Sequence, residues 1–231
     1  MPSLSRFDAL QAIATEYPIE PIVVALGTMV REMLLVGRRD NHLYVLDSMG
    51  LPPAIGLGVA LGPAARRFDK VIVIEGDGGL LMGFSSLATI GLLKPQKLLL
   101  VVLDNGAYAA TGMQRTAAPA VDLCAAAAAC GVRAYNVDSA ADLQAFLRGS
   151  RDLPGPALLR VVISQENRQA PYFLPDPVEL TLTFQRYLSG AATPAVAGSG
   201  APGPVPPAPD APDTPTGASG EQPYGAPRGR N

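Results

Sequence analysis

The chain has 231 residues, of which 48% are hydrophobic and 16% are charged, and its formal net charge at pH 7 is -2. This composition suits one well-buried domain with additional segments, and it lacks the basic excess that a nucleic-acid-binding surface requires. The longest apolar run, residues 97–103, is too short to span a bilayer. The N-terminal residues lack the basic start and long apolar stretch of a secretory signal. We therefore expect a cytoplasmic protein that binds neither membranes nor nucleic acids.

Short apolar segments alternate with helix-length segments from residue 21 to residue 163. The predicted strands are 21–26, 43–46, 71–75, 98–103, 133–137 and 157–163, and the predicted helices are 28–36, 52–67, 79–93, 121–130 and 139–147. Apolar side chains run through the longer strands without alternation, which is typical of strands buried on both faces. The alternation of strands and helices predicts one α/β domain over residues 1–189, with a mostly parallel sheet and helices on both faces.

The composition changes near Gly190. Residues 190–231 are mostly Pro, Gly, Ala, Ser and Thr, and their large apolar side chains are limited to Val196, Val205 and Tyr224. Such a segment cannot bury enough surface to offset the entropy lost on ordering it. We expect a disordered tail with polyproline character over these residues.

Polar residues follow two of the apolar strands, at the carboxyl ends where parallel sheets bind ligands. Gly76–Gly79 follows the third predicted strand, and Asp104–Tyr108 follows the fourth. Because a single helical crossover joins these strands, we expect Asp77 and Asn105 to converge. A carboxylate, an amide oxygen and a backbone carbonyl suit Mg²⁺. The glycines around Asp77 allow close approach to a phosphate, at the N-terminus of the helix that follows.

The segment from Gly76 to Asn105 resembles the signature of the thiamine-diphosphate enzyme superfamily, which runs from Gly-Asp-Gly to an asparagine further along the chain. The resemblance implies that this is the diphosphate-binding domain and that it holds thiamine diphosphate and Mg²⁺. It also implies that the metal ligands are Asp77, Asn105 and the backbone carbonyl of Ala107.

Two upstream segments extend the resemblance. Leu26-Gly27-Thr28 resembles the Gly-Thr phosphate contact of the superfamily, which implies that Thr28 donates its hydroxyl to the diphosphate. Asp47-Ser48-Met49-Gly50 resembles a Gly-Ser-Met-Gly segment, which implies that Met49 lies between the two cofactor rings and that the Asp47 carbonyl accepts a bond from the aminopyrimidine. The expected cofactor contacts are Thr28, Asp47, Met49, Gly76, Asp77, Gly78, Gly79, Asn105, Ala107, Tyr108 and Ala110.

A closer likeness narrows the expected activity. Residues 48–58, 80–90 and 103–112 resemble sulfopyruvate decarboxylase β subunits and phosphonopyruvate decarboxylase, within a likeness that covers residues 20–185. This implies a lyase that removes CO₂ from a small 2-oxo acid. Three positions depart from the family pattern, namely Asp47 and Met113, where glycine is usual or frequent, and Gly79, where some relatives have a serine that contacts phosphate.

The resemblance also implies a partner. Superfamily chemistry needs a glutamate on the aminopyrimidine, and a separate pyrimidine-binding domain supplies it. Glu16 and Glu20 lie near the N-terminus, but nothing around them resembles such a domain. We therefore expect no catalytic residue in this chain and a hetero-oligomer with a pyrimidine-domain α subunit. For a substrate with a second anionic group, Arg115 and Arg168 are candidate cations, and solvated surface residues are the alternative.

Other functions stay open from sequence. The chain could be an acetolactate-synthase-like half, a 2-oxoacid oxidoreductase β subunit, or a non-catalytic regulatory or scaffold subunit. The oxidoreductase subunits usually carry or accompany cysteine-ligated clusters, and Cys124 and Cys130 do not have the spacing for one. We expect both cysteines to be small core residues and His42 to be a solvated loop residue.

Overall fold

The computed structural model describes residues 4–172 and 175–190. The helices are α1 (Arg6–Glu16), α2 (Thr28–Val36), α3 (Pro52–Leu61), α4 (Asp77–Met82), α5 (Ser86–Leu93), α6 (Leu123–Ala129), α7 (Ala140–Ser150) and α8 (Pro177–Ser189). The strands are β1 (Ile22–Val24), β2 (His42–Tyr44), β3 (Val71–Gly76), β4 (Leu98–Asp104), β5 (Ala107–Tyr108), β6 (Gln114–Arg115), β7 (Arg133–Val137) and β8 (Ala157–Val162). Apart from Gly190, which ends α8, the predicted tail lies outside the described residues.

Six strands form one parallel sheet in the order β2-β1-β3-β4-β8-β7, and β5 and β6 form a separate antiparallel pair. This confirms the prediction of a mostly parallel sheet. The central pairing joins β3 to β4 and brings Gly76 opposite Leu103. The residues that follow these two strands therefore emerge side by side at the same edge of the sheet.

Apolar side chains pack on both faces of the sheet, as the continuous apolar strands predict. One core contains Ile72 and Ile74 of β3 together with side chains of α1, α2, α7 and α8. The other core contains Val71 and Val73 of the same strand together with side chains of α3, α4, α5 and α6. Successive residues of a strand point to opposite faces, so a central strand covered on both sides has no position for an exposed polar residue.

Two helices were absent from the predicted elements. In α1, the hydroxyl of Ser5 accepts a hydrogen bond from the Asp8 backbone N–H, which is a normal N-cap. In α8, Asp176 caps the helix and Pro177 occupies its first position. No helix in the described part of the chain is long and apolar enough to cross a membrane.

Two predicted helices are interrupted in the structure. The segment 52–67 is α-helical to Leu61, and a 3-10 helix continues it from Pro63, because a proline at this point cannot donate the next helical hydrogen bond. The segment 79–93 is divided into α4 and α5 at Gly83. A Cβ atom at Gly83 would lie 1.9 Å from the carbonyl oxygen of Gly50, so the break coincides with a close backbone approach.

Candidate functional site

Asp77 and Asn105 meet at the tips of β3 and β4. Both residues line one cleft at the carboxyl edge of the sheet, and the Asn105 backbone N–H lowers the pKa of the Asp77 carboxyl. Asp77 is 1% exposed, and the Thr116 hydroxyl donates to its Oδ2. Burial raises the pKa of Asp77, and the bond from Thr116 opposes this. Both residues thus border the same cleft.

Asn105 is oriented by its neighbours. Its Oδ1 accepts a hydrogen bond from the Ala107 backbone N–H at 3.1 Å, and Gln165 Nε2 donates to its backbone carbonyl at 3.0 Å. An amide oxygen has two lone pairs, so Oδ1 retains one for a cation. The described residues contain no cluster of three or more His, Cys, Asp or Glu side chains suited to a metal. A metal in this cleft would depend on amide and backbone oxygens beside the single carboxylate of Asp77.

The glycines after β3 have different surroundings. A Cβ at Gly76 would find its nearest neighbour, the Met29 methyl group, at 4.0 Å, so the space in front of Gly76 is open. A Cβ at Gly78 would lie 2.2 Å from the Tyr108 ring. Packing within the protein thus requires glycine at 78, whereas Gly76 borders free space. The following helix, α4, has six residues, so its dipole is weaker than that of the long helix predicted from sequence.

Glu75 is absent from the expected contact residues, but it also lines the cleft. It is 3% exposed, and its Oε1 accepts a bond from the Gly76 backbone N–H at 2.9 Å. Its Oε2 has no partner among the described residues. Burial is the main cause that raises the pKa of Glu75 to about 7. A single carboxylate at the end of an otherwise apolar strand was the sequence feature that could have identified it.

Thr28 and Met49 also line the cleft. Thr28 is the first residue of α2, and its Oγ1 accepts a bond from Arg31 Nη2 at 3.3 Å. The hydroxyl proton of Thr28 therefore remains for an acceptor in the cleft. Gly27 has φ of 75°, and a Cβ there would lie 2.9 Å from the Cβ of Ala110, so the turn between β5 and β6 packs directly onto the start of α2.

At Asp47 and Met113, two of the positions that depart from the family pattern, the backbone has the conformation that favours glycine. Asp47 has φ of 51° and Met113 has φ of 63°, in the left-handed region that favours glycine. The Asp47 side chain is exposed, and Asp47 does not line the cleft. The other ten expected contact residues do: Thr28, Met49, Gly76, Asp77, Gly78, Gly79, Asn105, Ala107, Tyr108 and Ala110.

Arg115 and Arg168 lie outside the cleft, which agrees with the alternative that they are surface residues. Arg115 lies on the exposed strand β6, and the Arg168 guanidinium stacks over the Phe7 ring at 3.8 Å. Neither lines the cleft, whereas Arg6 does. His42 is not a solvated loop residue, because it belongs to β2 and is 3% exposed.

The two cysteines are free and half-buried. Both pack against the core on the α3 side of the sheet, which agrees with their expected role as small core residues. Burial raises the pKa of the Cys124 thiol, and its sulfur lies 3.5 Å from the Tyr135 carbonyl oxygen.

Residues 28–161 match the family described as thiamine pyrophosphate enzyme, C-terminal TPP binding domain. The chain is 38% identical over 203 residues to a phosphonopyruvate decarboxylase of Streptomyces viridochromogenes, a match that covers 84% of this chain and 50% of that protein. It is 34% identical over 182 residues to sulfopyruvate decarboxylase subunit beta of Methanococcus maripaludis, covering 78% of this chain and 96% of that subunit. The chain thus spans about half the length of the first relative.

The fold has a counterpart among solved structures. The X-ray structure of a putative thiamin diphosphate-dependent enzyme from Mycobacterium smegmatis superposes with a TM-score of 0.58 at 25% sequence identity. The superposition covers 70% of this chain and 32% of that one. The α/β domain described above is therefore shared with one part of a longer enzyme.

Proposed function

The chain belongs to the thiamine pyrophosphate enzyme family, and from this we propose that it is the cofactor-binding β subunit of a 2-oxo acid decarboxylase of the sulfopyruvate or phosphonopyruvate type. The observation that carries the proposal is the convergence of Asp77 and Asn105 in one cleft. The names of the two relatives support the reaction type.

The residues in the cleft fit thiamine diphosphate and Mg²⁺. Asp77 is buried, and no ion pair among the described residues includes it. Burying a carboxylate without a cation is costly. A divalent ion bound beside Asp77 would offset that cost. Mg²⁺ would be held by Asp77, Asn105 and the carbonyl of Ala107, and the diphosphate by Thr28 and the open backbone at Gly76.

When bound, thiamine diphosphate supplies a nucleophilic carbon for the keto group of a 2-oxo acid and an electron sink for the pair released as CO₂ departs. The residues of this chain bind and orient the two reactants. Asp77 and Asn105 would hold the metal end, and Met49, which lines the same cleft, would support the ring end. Tyr108 packs on Gly78 and closes one side of the cleft against water. This division of roles leaves the proton exchange at the aminopyrimidine to a partner.

We assign that exchange to an α subunit with a pyrimidine-binding domain. Leu51 is 52% and Met82 is 63% exposed, and both line a groove that begins at Met49. Exposed apolar side chains beside a binding site are typical of an interaction surface. The relative from M. maripaludis carries the name of a β subunit, which supports a hetero-oligomer. The unpaired cysteines are in keeping with a reducing cytoplasm.

Reconstitution with a pyrimidine-domain chain tests this function. CO₂ release is measured from sulfopyruvate, phosphonopyruvate and pyruvate, with each chain alone and with both together in thiamine diphosphate and Mg²⁺. We expect release from one of the first two acids when both chains are present. Binding of both cofactors without CO₂ release from any acid would contradict the decarboxylase assignment and favour a regulatory subunit. Failure to bind the cofactors would contradict the proposal as a whole.

A further inference from the structure

Arg6 is the one basic residue that lines the cleft in the described part of the chain. It is the first residue of α1 and is 4% exposed. Its Nη1 donates to Glu32 Oε1 at 3.0 Å and to Asn167 Oδ1 at 2.8 Å. Because an uncompensated buried cation is costly, these two contacts explain how a guanidinium is tolerated at this depth.

Glu32 places Arg6 close to Thr28. The two α2 residues are four positions apart, so they share a face of the helix with Cβ atoms roughly 6 Å from each other. Glu32 is 1% exposed, and its Oε1 also accepts a bond from the Arg168 backbone N–H at 3.0 Å. The carboxylate is thus fixed from two directions. It holds Arg6 against α2, and Arg6 and Thr28 line the same cleft.

Much of the guanidinium remains for a ligand. Both described hydrogen bonds of the Arg6 side chain come from Nη1, and a guanidinium has five N–H donors in a planar fork. The ion pair of Arg6 is with Glu32. In the described part of the chain it forms none with Glu75 or Asp77, the two acidic residues of the cleft.

We propose that Arg6 binds a phosphate group of the cofactor diphosphate, an inference that rests on the proposed function. Two phosphate groups carry more negative charge than one divalent ion neutralises, and an ionised Asp77 adds to the excess. Arg6 supplies the matching positive charge, with the fork geometry that suits phosphate oxygens. It also contributes donors at a site where Gly79 lacks the hydroxyl that some relatives have.

Calorimetric titration with Mg²⁺ plus either thiamine diphosphate or inorganic pyrophosphate tests Arg6. The chain is compared with Glu32→Gln, with Arg6→Gln/Glu32→Gln, and with Arg115→Gln as a control arginine outside the cleft. The double variant removes both charges of the buried pair, so that no unpaired Glu32 is left to unfold the protein. We expect it to bind both probes roughly 10- to 100-fold more weakly, the loss of a charge-assisted bond. Arg115→Gln should bind within about threefold of the parent chain. Glu32→Gln keeps the guanidinium but removes the carboxylate that holds it, so its affinity should lie between those of the parent chain and the double variant.

Three results would overturn the assignment. Equal affinity of the folded double variant for both probes would leave Arg6 with a structural role alone. Unchanged cofactor affinity combined with a raised KM for phosphonopyruvate, and not for pyruvate, in the reconstituted enzyme would assign Arg6 to the substrate. If the unmodified chain bound neither probe, the proposed function would fail, and this inference would fail with it. Near-ultraviolet circular dichroism confirms that each variant is folded.

Discussion

A Cβ atom added to Gly79 would lie 2.1 Å from Oε1 of Glu75. The Glu75 side chain therefore occupies the space beside residue 79, and the hydrogen bond from the Gly76 N–H keeps it there. A serine at position 79 would require the Glu75 carboxylate to move. Gly79 and Glu75 thus depend on each other, and the departure at 79 has a local cause.

Gly79→Ser should destabilise the chain by about 1–3 kcal/mol, the usual cost of overpacking a buried site. Glu75→Ala/Gly79→Ser should recover most of this loss, because the shorter side chain vacates the space. Glu75→Gln/Gly79→Ser should not recover it, because glutamine has the same length as glutamate. Urea denaturation of the single and double variants measures the coupling, and additive effects would contradict it.

Asp77 and its neighbour Asp104 are both buried, but they differ in whether a cation pairs with the carboxylate. Asp104 is 5% exposed and pairs with Arg160, whose Nη2 lies 2.6 Å from Oδ2, whereas Asp77 has no ion pair among the described residues. We expect Asp77→Asn to stabilise the ligand-free chain by about 1 kcal/mol, because it removes an uncompensated buried charge. Asp104→Asn should destabilise it by about 1–3 kcal/mol.

The same pair of variants separates stability from binding. Asp77→Asn should lose the increase in Tm that Mg²⁺ with thiamine diphosphate gives the parent chain, because binding to the folded state is the source of that increase. Asp104→Asn should retain an increase from its lower starting point. Differential scanning fluorimetry with and without the two cofactors makes the comparison. A full Tm increase in Asp77→Asn would remove Asp77 from the metal site.

The central part of the site followed from sequence because it depends on local rules. Two apolar strands joined by one helical crossover become neighbours in a parallel sheet, and that alone places Asp77 beside Asn105. The contacts of Arg6 do not follow from such rules. Its partners Glu32 and Asn167 lie 26 and 161 residues further along the chain, and they meet only when α1 packs across α2 and the end of the sheet.

The prediction that His42 lies in a solvated loop is wrong for a similar reason, since its burial also depends on a distant part of the chain. Its sequence neighbours are polar, which is typical of a loop, but α8 packs against the edge strand β2 that contains it. The predicted elements do not include α8, so they leave this edge of the sheet uncovered. The break between α4 and α5 at Gly83 could not be predicted either, since a lone glycine within an apolar run is compatible with a continuous helix.

Gly83 and Gly58 provide a matched comparison. A Cβ at Gly83 would lie 1.9 Å from the Gly50 carbonyl oxygen, whereas a Cβ at Gly58 in α3 would meet nothing within 4 Å. Gly83→Ala should destabilise the chain by about 3 kcal/mol or more, and it should weaken cofactor binding by displacing Met49 next to Gly50. Gly58→Ala should be neutral or stabilise by up to about 1 kcal/mol, since alanine favours helix. Similar denaturation midpoints for the two variants would contradict the close approach at Gly50.

His42 makes stability depend on pH in a defined window. Burial, with a further contribution from the nearby Arg39 cation, lowers the pKa of His42 to about 4. Its Nδ1 lies 3.2 Å from the Tyr44 hydroxyl, and its Nε2 has no partner in the described structure. The folded chain therefore keeps the imidazole neutral at pH values where the unfolded chain, with an ordinary histidine pKa of about 6.5, takes up a proton.

Since the unfolded state binds the extra proton between about pH 6.5 and 4, acid favours unfolding throughout that range. The contribution of His42 to the free energy of unfolding should fall by about 2 kcal/mol between pH 7.5 and pH 5. Carboxylates also titrate there, so the informative quantity is the difference between the parent chain and His42→Gln, which cannot titrate. Urea denaturation at each pH gives the free energy of unfolding of both proteins. As the pH falls, the parent chain should lose stability relative to His42→Gln, and the difference should level off near pH 4. A constant difference across the range would mean that the folded protein accepts the proton at position 42 as readily as the unfolded chain does.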